Sequence, residues 1–326
     1  MTAPLLRTED VVVRFRVGRR SLTAVDRVSL SVPKGETVGL VGESGSGKTT
    51  FGLAVMRAID PNHGRVVFDG VDLTALGERR MRPFRRRMQM IFQDPFASLD
   101  PKMKVGRIIS EPMRIHSIGD RQEIASRVSS LLEAVGLPSD TVQRYPTQFS
   151  GGQKQRISIA RALATDPEFL VADEPVSALD VSIQAQVIAV LDQVKKRFGL
   201  TTLIIAHDLA LVYQVTDRIA VMYLGQIVEE GPTADVVFDP RHPYTASLLS
   251  ASPVPDPEVE RTRERIVLRG DPPSPISPPS ACRFHTRCPI ARPVCATETP
   301  ALVSCGPNRT VACHFPGELG PVLDGR

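Results

Sequence analysis

Gly42-Glu43-Ser44-Gly45-Ser46-Gly47-Lys48-Thr49-Thr50 and the later Phe149-Ser150-Gly151-Gly152-Gln153 are the stretches whose residue types and spacing carry chemistry. The first is a phosphate-binding loop. Its glycines let successive backbone N–H groups turn inward around phosphate oxygens. A helix beginning at Lys48 adds partial positive charge at its N-terminus. Lys48 is placed to reach the β- and γ-phosphates of a nucleoside triphosphate, and the Thr49 hydroxyl to ligate Mg²⁺. A ligand-free strand-to-helix turn would not account for a Lys-Thr pair at this offset.

Further carboxylates and donors follow apolar strands. Phe169 to Ala172 reads as a buried strand that delivers Asp173 and Glu174 at its C-terminal end, where ligands of open α/β sheets bind. Asp173 suits Mg²⁺, and Glu174 suits polarisation of an attacking water. Taken alone the pair could be an ordinary strand-to-loop transition; the phosphate loop upstream decides against that. Gln93, after Met90-Ile91-Phe92, is placed to reach the metal and the water. His207 ends the strand that begins near Thr202. Phe15 has two readings, stacking on adenine or core packing beside Val11 and Val13.

The Ser150 segment, with Ile157, Ala160, Leu163 and Ala164 at helical spacing, reads as a helix whose N-terminus suits an anion. A chain that already wraps phosphate in its own loop has no need of a second such site. In this order and at this spacing, the phosphate loop, Ser150-Gly151-Gly152-Gln153, Asp173-Glu174 and His207 resemble the ATPase subunit of ATP-binding-cassette (ABC) proteins. The resemblance implies a head-to-tail dimer, each ATP lying between one subunit's phosphate loop and the partner's Ser150 helix. It also implies that His207 contacts the γ-phosphate and that Asp180, closing Ser177-Ala178-Leu179-Asp180, lies in the loop crossing the dimer interface. No element of this set is missing.

The elements that must position these residues divide the chain. Residues 1 to about 92 alternate short strands with turns, and about 95–165 become helical, with Ile124, Val128, Leu131, Leu132 and Val135 in register. Strands and helices alternate again to about 230, with Val181 to Phe198 the clearest long helix. The expected fold is therefore α/β, a P-loop ABC nucleotide-binding domain over residues 1–240 with an inserted helical subdomain. A small irregular Cys-containing region over 241–326 follows, entered through a Pro-rich stretch that includes Pro253, Pro255, Pro257, Pro272 and Pro273.

Composition sets limits. The net charge of +4 over 326 residues is too small to imply nucleic acid. The run Arg79-Arg80-Met81-Arg82-Pro83-Phe84-Arg85-Arg86-Arg87 is either a solvated face or a docking surface. No apolar run approaches the ~20 residues of a bilayer span, and no signal pattern opens the chain, so a peripheral place on the cytoplasmic face of the membrane is expected. The absence of a long coiled coil, of a second cassette and of any lost catalytic residue argues against chromosome-type, ribosome-associated and sensor ABC proteins.

His242-Pro243-Tyr244-Thr245, Cys282-Arg283-Phe284-His285-Thr286-Arg287-Cys288-Pro289 and Ala312-Cys313-His314 resemble the tail of ATPases that power oligopeptide/dipeptide ABC importers. The body agrees through Gln93 to Pro101 and Asp173 to Ser182, and the likeness, from about residue 8 to 316, is greatest to the second of two ATPase subunits. Phe149 stands where many ABC proteins carry Leu. The resemblance implies a second ATPase subunit as heterodimer partner, two integral-membrane permeases and an extracytoplasmic substrate-binding protein. Relatives importing nickel, glutathione-like peptides or other small solutes are the alternative.

All five cysteines lie between residues 282 and 313. A cytosolic setting disfavours disulfides, leaving a metal centre or inert thiols. The resemblance implies a 4Fe–4S cluster on Cys282, Cys288, Cys295 and Cys313. Four thiolates also suit tetrahedral Zn²⁺, but the spacing lacks a Cys-x₂-Cys knuckle, and Pro289 after Cys288 is similar to ferredoxin-like runs. Cys305 is the spare, and His285 and His314 are weaker candidates.

Overall fold

Short apolar runs set the strands of this chain and capping residues set several of its helices. The computed structural model describes residues 3–177, 179–251, 266, 268, 270–271 and 273–320. Ala178 and most of the expected Pro-rich stretch, including Pro253, Pro255, Pro257 and Pro272, lie outside the described residues. The first described elements are β1 (Pro4–Val17), β2 (Arg20–Pro33), β3 (Thr37–Val41), α1 (Lys48–Val55), β4 (His63–Phe68) and β5 (Val71–Asp72). Next come α2 (Glu78–Arg87), β6 (Met88–Ile91), α3 (Pro95–Ser98), α4 (Val105–Ile115), α5 (Arg121–Ala134) and α6 (Gly151–Ala162). They are followed by β7 (Phe169–Asp173), α7 (Val181–Phe198), β8 (Thr201–Ala206), α8 (Leu209–Tyr213), β9 (Arg218–Tyr223) and β10 (Gln226–Pro232). The last are α9 (Thr233–Phe238), α10 (Pro243–Ala251), α11 (Pro293–Thr297), β11 (Val303–Gly306) and β12 (Arg309–Val311).

The chain forms two compact units. The first holds Met1–Leu6, Ser31–Glu36 and Val67–Ile205. Its strands β6, β7 and β8 pair in parallel, Met88 opposite Phe169 and Phe169 opposite Thr201. β7 is buried along its whole length, which suits its continuous apolar run. The helical stretch carries α3 to α6. Asp94 caps α3 ahead of Pro95, and Asp120 and Glu123 form a reciprocal capping box on α5. Val128, Leu131, Leu132 and Val135 are buried as their spacing requires, together with Ile108, Ile109 and Met113 of α4. The arginine run forms α2. Met81 is buried, while Arg79, Arg80, Arg82 and Arg86 are exposed. Arg87 bridges Asp69 at 2.5 Å and Glu168 at 2.5 Å.

The second unit holds Arg7–Leu30, Thr37–Val66 and Ala206–Arg326. Here β2, β1 and β4 are neighbours in that order. β3 pairs in parallel with β9, Val38 opposite Arg218 through Val41 opposite Val221. β10 returns antiparallel to β9, β12 adds to β10 with Glu229 opposite Val311, and β11 closes the series on β12. Among the described residues beyond Ala251, turns and bends predominate around the short helix α11. Glu229, fully buried in β10, is matched by Arg309 of β12 at 2.7 Å and accepts the N–H groups of Arg241 and His242, each at 2.9 Å. A buried charge needs such partners.

Candidate functional site

The phosphate loop leaves β3, all five of whose residues are buried, and runs into α1. Gly47 has φ +103, and a Cβ there would stand 2.1 Å from the Ala24 carbonyl oxygen. At Gly42 a Cβ would meet the Met222 carbonyl oxygen at 2.2 Å, so only glycine lets the loop lie this close to its neighbours. Lys48 is buried, and its Nζ donates to the carbonyls of Gly42 at 2.8 Å and Glu43 at 2.9 Å. Ser46 is buried and donates its N–H to the Glu43 carbonyl at 3.2 Å. Ser44, Gly45 and Thr49 are exposed, and Thr50 is half-buried. Phe15 is 40 % exposed while Val11 and Val13 are buried, which removes its core-packing reading. His207 follows β8 directly and is exposed.

In the other unit, β7 ends on Asp173, which is buried. Glu174 then turns with φ +42, a left-handed conformation uncommon for a residue with a side chain, and donates its N–H to the Ile205 carbonyl at 2.9 Å. Gln93 Nε2 donates to Glu174 Oε2 at 2.9 Å. The structure therefore brings together two of the residues singled out by sequence.

Ser150 is the N-cap of α6. Its hydroxyl accepts the Gln153 N–H at 3.4 Å, and Gln153 Oε1 accepts the Ser150 N–H at 3.0 Å. This capping box gives both residues a local structural duty as well. Gly152 has a packing reason, since a Cβ would stand 2.4 Å from Ile183 Cγ2 of α7. A Cβ on Gly151 would meet Leu179 Cδ2 at 2.9 Å, the far end of a flexible side chain, and Phe96 Cζ at an ordinary 3.8 Å. Phe149 is buried beneath the Arg144 guanidinium at 4.4 Å. Asp180 is the exposed N-cap residue of α7, without a side-chain cap bond.

Contacts from the C-terminal region to the phosphate loop escaped the sequence. Arg287 holds Glu43 with two hydrogen bonds, 2.8 Å to Oε2 and 3.1 Å to Oε1. The Glu43 N–H donates to Tyr244 Oη at 2.7 Å. Arg283 pairs with Asp26 and donates to the Leu224 carbonyl. Phe284, between these arginines, is buried against Tyr223, Tyr244 and His242. Burial pushes the Tyr244 phenol up and the His242 imidazole down to about 3, so both are neutral near pH 7.

The cysteines behave as two sets. Burial pushes the Cys288 and Cys313 thiols up to about 11 each, and the Cys282 thiol up as well. Cys282 donates its N–H to the Cys295 carbonyl at 3.1 Å, whereas Cys305 lies apart in β11. Among the described residues, however, no group of three or more His, Cys, Asp or Glu side chains is placed to hold a metal ion. The expected metal centre is thus not a formed site here. His285 Nδ1 and His314 Nε2 face the backbone carbonyls of Cys282 and Glu298. Among the described residues no helix is long and apolar enough to cross a membrane.

Comparison with known proteins accords with this geometry. Residues 25–177 match the family model "ABC transporter", and residues 228–295 match "Oligopeptide/dipeptide transporter, C-terminal region". The chain is 49 % identical to the oligopeptide transport ATP-binding protein AppF of Bacillus subtilis (strain 168), covering 90 % of this chain and 89 % of that protein. It is 50 % identical to the oligopeptide transport ATP-binding protein OppF of Salmonella typhimurium, covering 91 % and 92 %. Among solved structures it is similar to the dimeric ATP-binding cassette MJ0796 in a post-hydrolysis state with ADP and Pi, at TM-score 0.64 and 27 % identity, covering 70 % of this chain and 98 % of that one. With the phosphate loop, the Gln93–Glu174 pair and the capped Ser150 helix in place, this identity over nine-tenths of its length makes the chain a member of the ABC transporter family of ATP-hydrolysing subunits.

Proposed function

We propose that this chain is the ATPase that powers an importer of oligopeptides or dipeptides. The match of residues 228–295 to the oligopeptide/dipeptide transporter C-terminal region carries this reading. The names of AppF and OppF support it. We assign residues 1–240 to the ABC nucleotide-binding domain, with its helical subdomain at about 95–165, and 241–326 to the importer-type tail. A second ATPase subunit, two permeases and an external substrate-binding protein complete the assembly, with this chain peripheral on the cytoplasmic face of the membrane.

Each residue's part follows from its chemistry. The loop N–H groups from Gly42 to Thr50 and the start of α1 bind the phosphates, and Lys48 exchanges its carbonyl partners for β- and γ-phosphate oxygens. Thr49, Asp173 and Gln93 carry oxygen donors of the kind Mg²⁺ takes, and the bound ion neutralises phosphate charge. Glu174, steadied by Gln93, accepts a hydrogen bond from the attacking water and draws its proton as the water oxygen bonds to the γ-phosphorus and the bond from that phosphorus to the bridging oxygen breaks, leaving ADP and phosphate. His207 donates to the γ-phosphate, and Phe15 stacks on adenine. Ser150, Gly151, Gly152, Gln153 and Asp180 serve ATP held by the partner ATPase. Extraction in detergent should bring down two permeases and a second ATPase, and reconstituted vesicles should hydrolyse ATP faster with peptide and the binding protein present. Stimulation by nickel and not by peptide would overturn the choice of cargo.

A metal centre on Cys282, Cys288, Cys295 and Cys313 is part of the same reading, supported by the backbone bond that ties the first to the third, the Cys282 N–H donating to the Cys295 carbonyl at 3.1 Å. These thiols must lose their protons to bind metal, so loading should release acid. Protein purified without oxygen should be brown, absorb near about 400 nm, and lose that band in Cys288→Ser if the group is 4Fe–4S. Colourless protein with one equivalent of Zn²⁺ would decide for zinc.

A further inference from the structure

Glu43 sits second in the phosphate loop, and each of its polar groups is engaged. Its carbonyl accepts from Lys48 Nζ at 2.9 Å. Its N–H donates to Tyr244 Oη at 2.7 Å, and its carboxylate is gripped on both oxygens by Arg287. Tyr244 and Arg287 lie 201 and 244 residues further along the chain. Both partners belong to the tail and come from the same compact unit as the loop.

The grip is built rather than incidental. Arg287 is 8 % exposed and Tyr244 is fully buried. Arg287 lies on the turn that runs from Cys282 to Cys288, and the same turn fixes Arg283 on Asp26 and buries Phe284 in the aromatic cluster. Asp26 donates its N–H to the Gly225 carbonyl at 2.9 Å, and Gly225 donates to the Ser46 carbonyl at 2.8 Å. One turn of the tail therefore reaches the phosphate loop at Glu43 directly and at Ser46 through Asp26 and Gly225. A two-pronged Arg–carboxylate pair fixes orientation as well as distance. In a loop that binds phosphate by aimed N–H groups, orientation is what sets affinity.

We propose that Arg287, with Tyr244, is a positioning residue of the nucleotide site: the tail holds Glu43 so that the loop from Gly42 to Ser46 keeps its phosphate-binding shape. The tail thereby sets this ATPase's affinity for nucleotide, beyond any part it plays in docking or metal binding. This rests on the reading of Gly42 to Thr50 as the ATP site. An ion pair that only stabilised the fold would lower the melting temperature and leave nucleotide affinity alone.

The test is titration of the full-length chain with a fluorescent ATP analogue, alongside thermal melting and ATPase kinetics of the assembled transporter. Arg287→Met should weaken nucleotide binding about tenfold, within the usual range of coupling between linked sites. KM for ATP should rise by a similar factor with a smaller change in kcat. Arg287→Lys, which keeps the charge and loses the fork, should fall between the two. Tyr244→Phe removes one hydroxyl from the aromatic cluster and should also weaken binding, which covers the case where Arg287→Met fails to fold. Glu43→Gln combined with Arg287→Met should be no worse than Arg287→Met alone, because both remove the same pair. Wild-type affinity in folded Arg287→Met and Tyr244→Phe would overturn the proposal. Failure of the unmodified chain to bind the analogue would instead overturn the nucleotide-site reading beneath it.

Discussion

Gln93 Nε2 donates to Glu174 Oε2 at 2.9 Å across 81 residues of sequence. Glu174 is also held by its own backbone, whose left-handed turn is secured to the Ile205 carbonyl. In the role proposed for Glu174, a side chain held by Gln93 on a secured backbone is set to orient a water rather than to search for one. The pair thus links the end of β6 to the end of β7, and both strands lie in one parallel array.

Gln93→Ala should remove that hydrogen bond and loosen the carboxylate. Misplacement of a catalytic group by about 1 Å costs on the order of 10²-fold in rate. Phosphate release should fall by about that factor while ATP affinity stays within about threefold of wild type. A rate unchanged from wild type would separate Gln93 from Glu174 in function.

Gly151→Asp tests the shared site. The fold should accept it, since the nearest atom to a new Cβ is Leu179 Cδ2, the far end of a flexible side chain. The carboxylate would oppose the γ-phosphate of ATP held by the partner ATPase. ATP binding by this chain should persist while ATP-driven dimerisation, followed by analytical ultracentrifugation, is lost. Normal dimerisation would show that α6 meets no nucleotide.

Arg309→Met should be among the most destabilising changes in the tail. It leaves Glu229 buried with backbone donors alone, and stranding a buried charge costs about 3–5 kcal/mol. Urea unfolding would read this directly. A loss below about 1 kcal/mol would mean that β12 contributes little to holding β10.

His242 gives the tail a pH dependence. Burial pushes its imidazole from the usual 6.5 to about 3, so the folded chain refuses a proton that the unfolded chain accepts. Its contribution is complete above the unfolded value of 6.5 and is lost progressively as pH falls toward 3. At pH 5 the loss is about 2 kcal/mol from this group. His242→Asn, whose side-chain oxygen can still accept the Tyr244 N–H, should be less sensitive than wild type to acid between about pH 6.5 and 5. Identical acid profiles would refute the assignment.

What could be read from sequence was local. The phosphate loop, α1 and α7 announce themselves because apolar runs, glycines and helical spacing act between near neighbours. The ends of β7 and β8 placed Asp173, Glu174 and His207 for the same reason. Arg287 stands 244 residues from Glu43, and nothing within its neighbourhood in sequence points to that partner. Glu229 likewise lies in a strand-forming run whose cation arrives 80 residues later. Ser150 and Gln153 stand at the Ser-x-x-Gln spacing of a capping box, a local duty that the helix start at Gly151 makes plain. Phe15 was undecided by alternation, because Val11, Val12 and Val13 are all buried and the two-residue period breaks there.

In the proposed mechanism Glu174 drives ATP hydrolysis at a site whose nucleotide is bound by other residues. Glu174→Gln keeps the shape of the side chain and removes its charge. Single-turnover measurements with radiolabelled ATP should show hydrolysis slowed on the order of 10²–10⁴-fold. ATP should stay bound at wild-type affinity, with the ATPase dimer trapped closed. Turnover near the wild-type rate with full ATP occupancy would show that Glu174 does not drive hydrolysis.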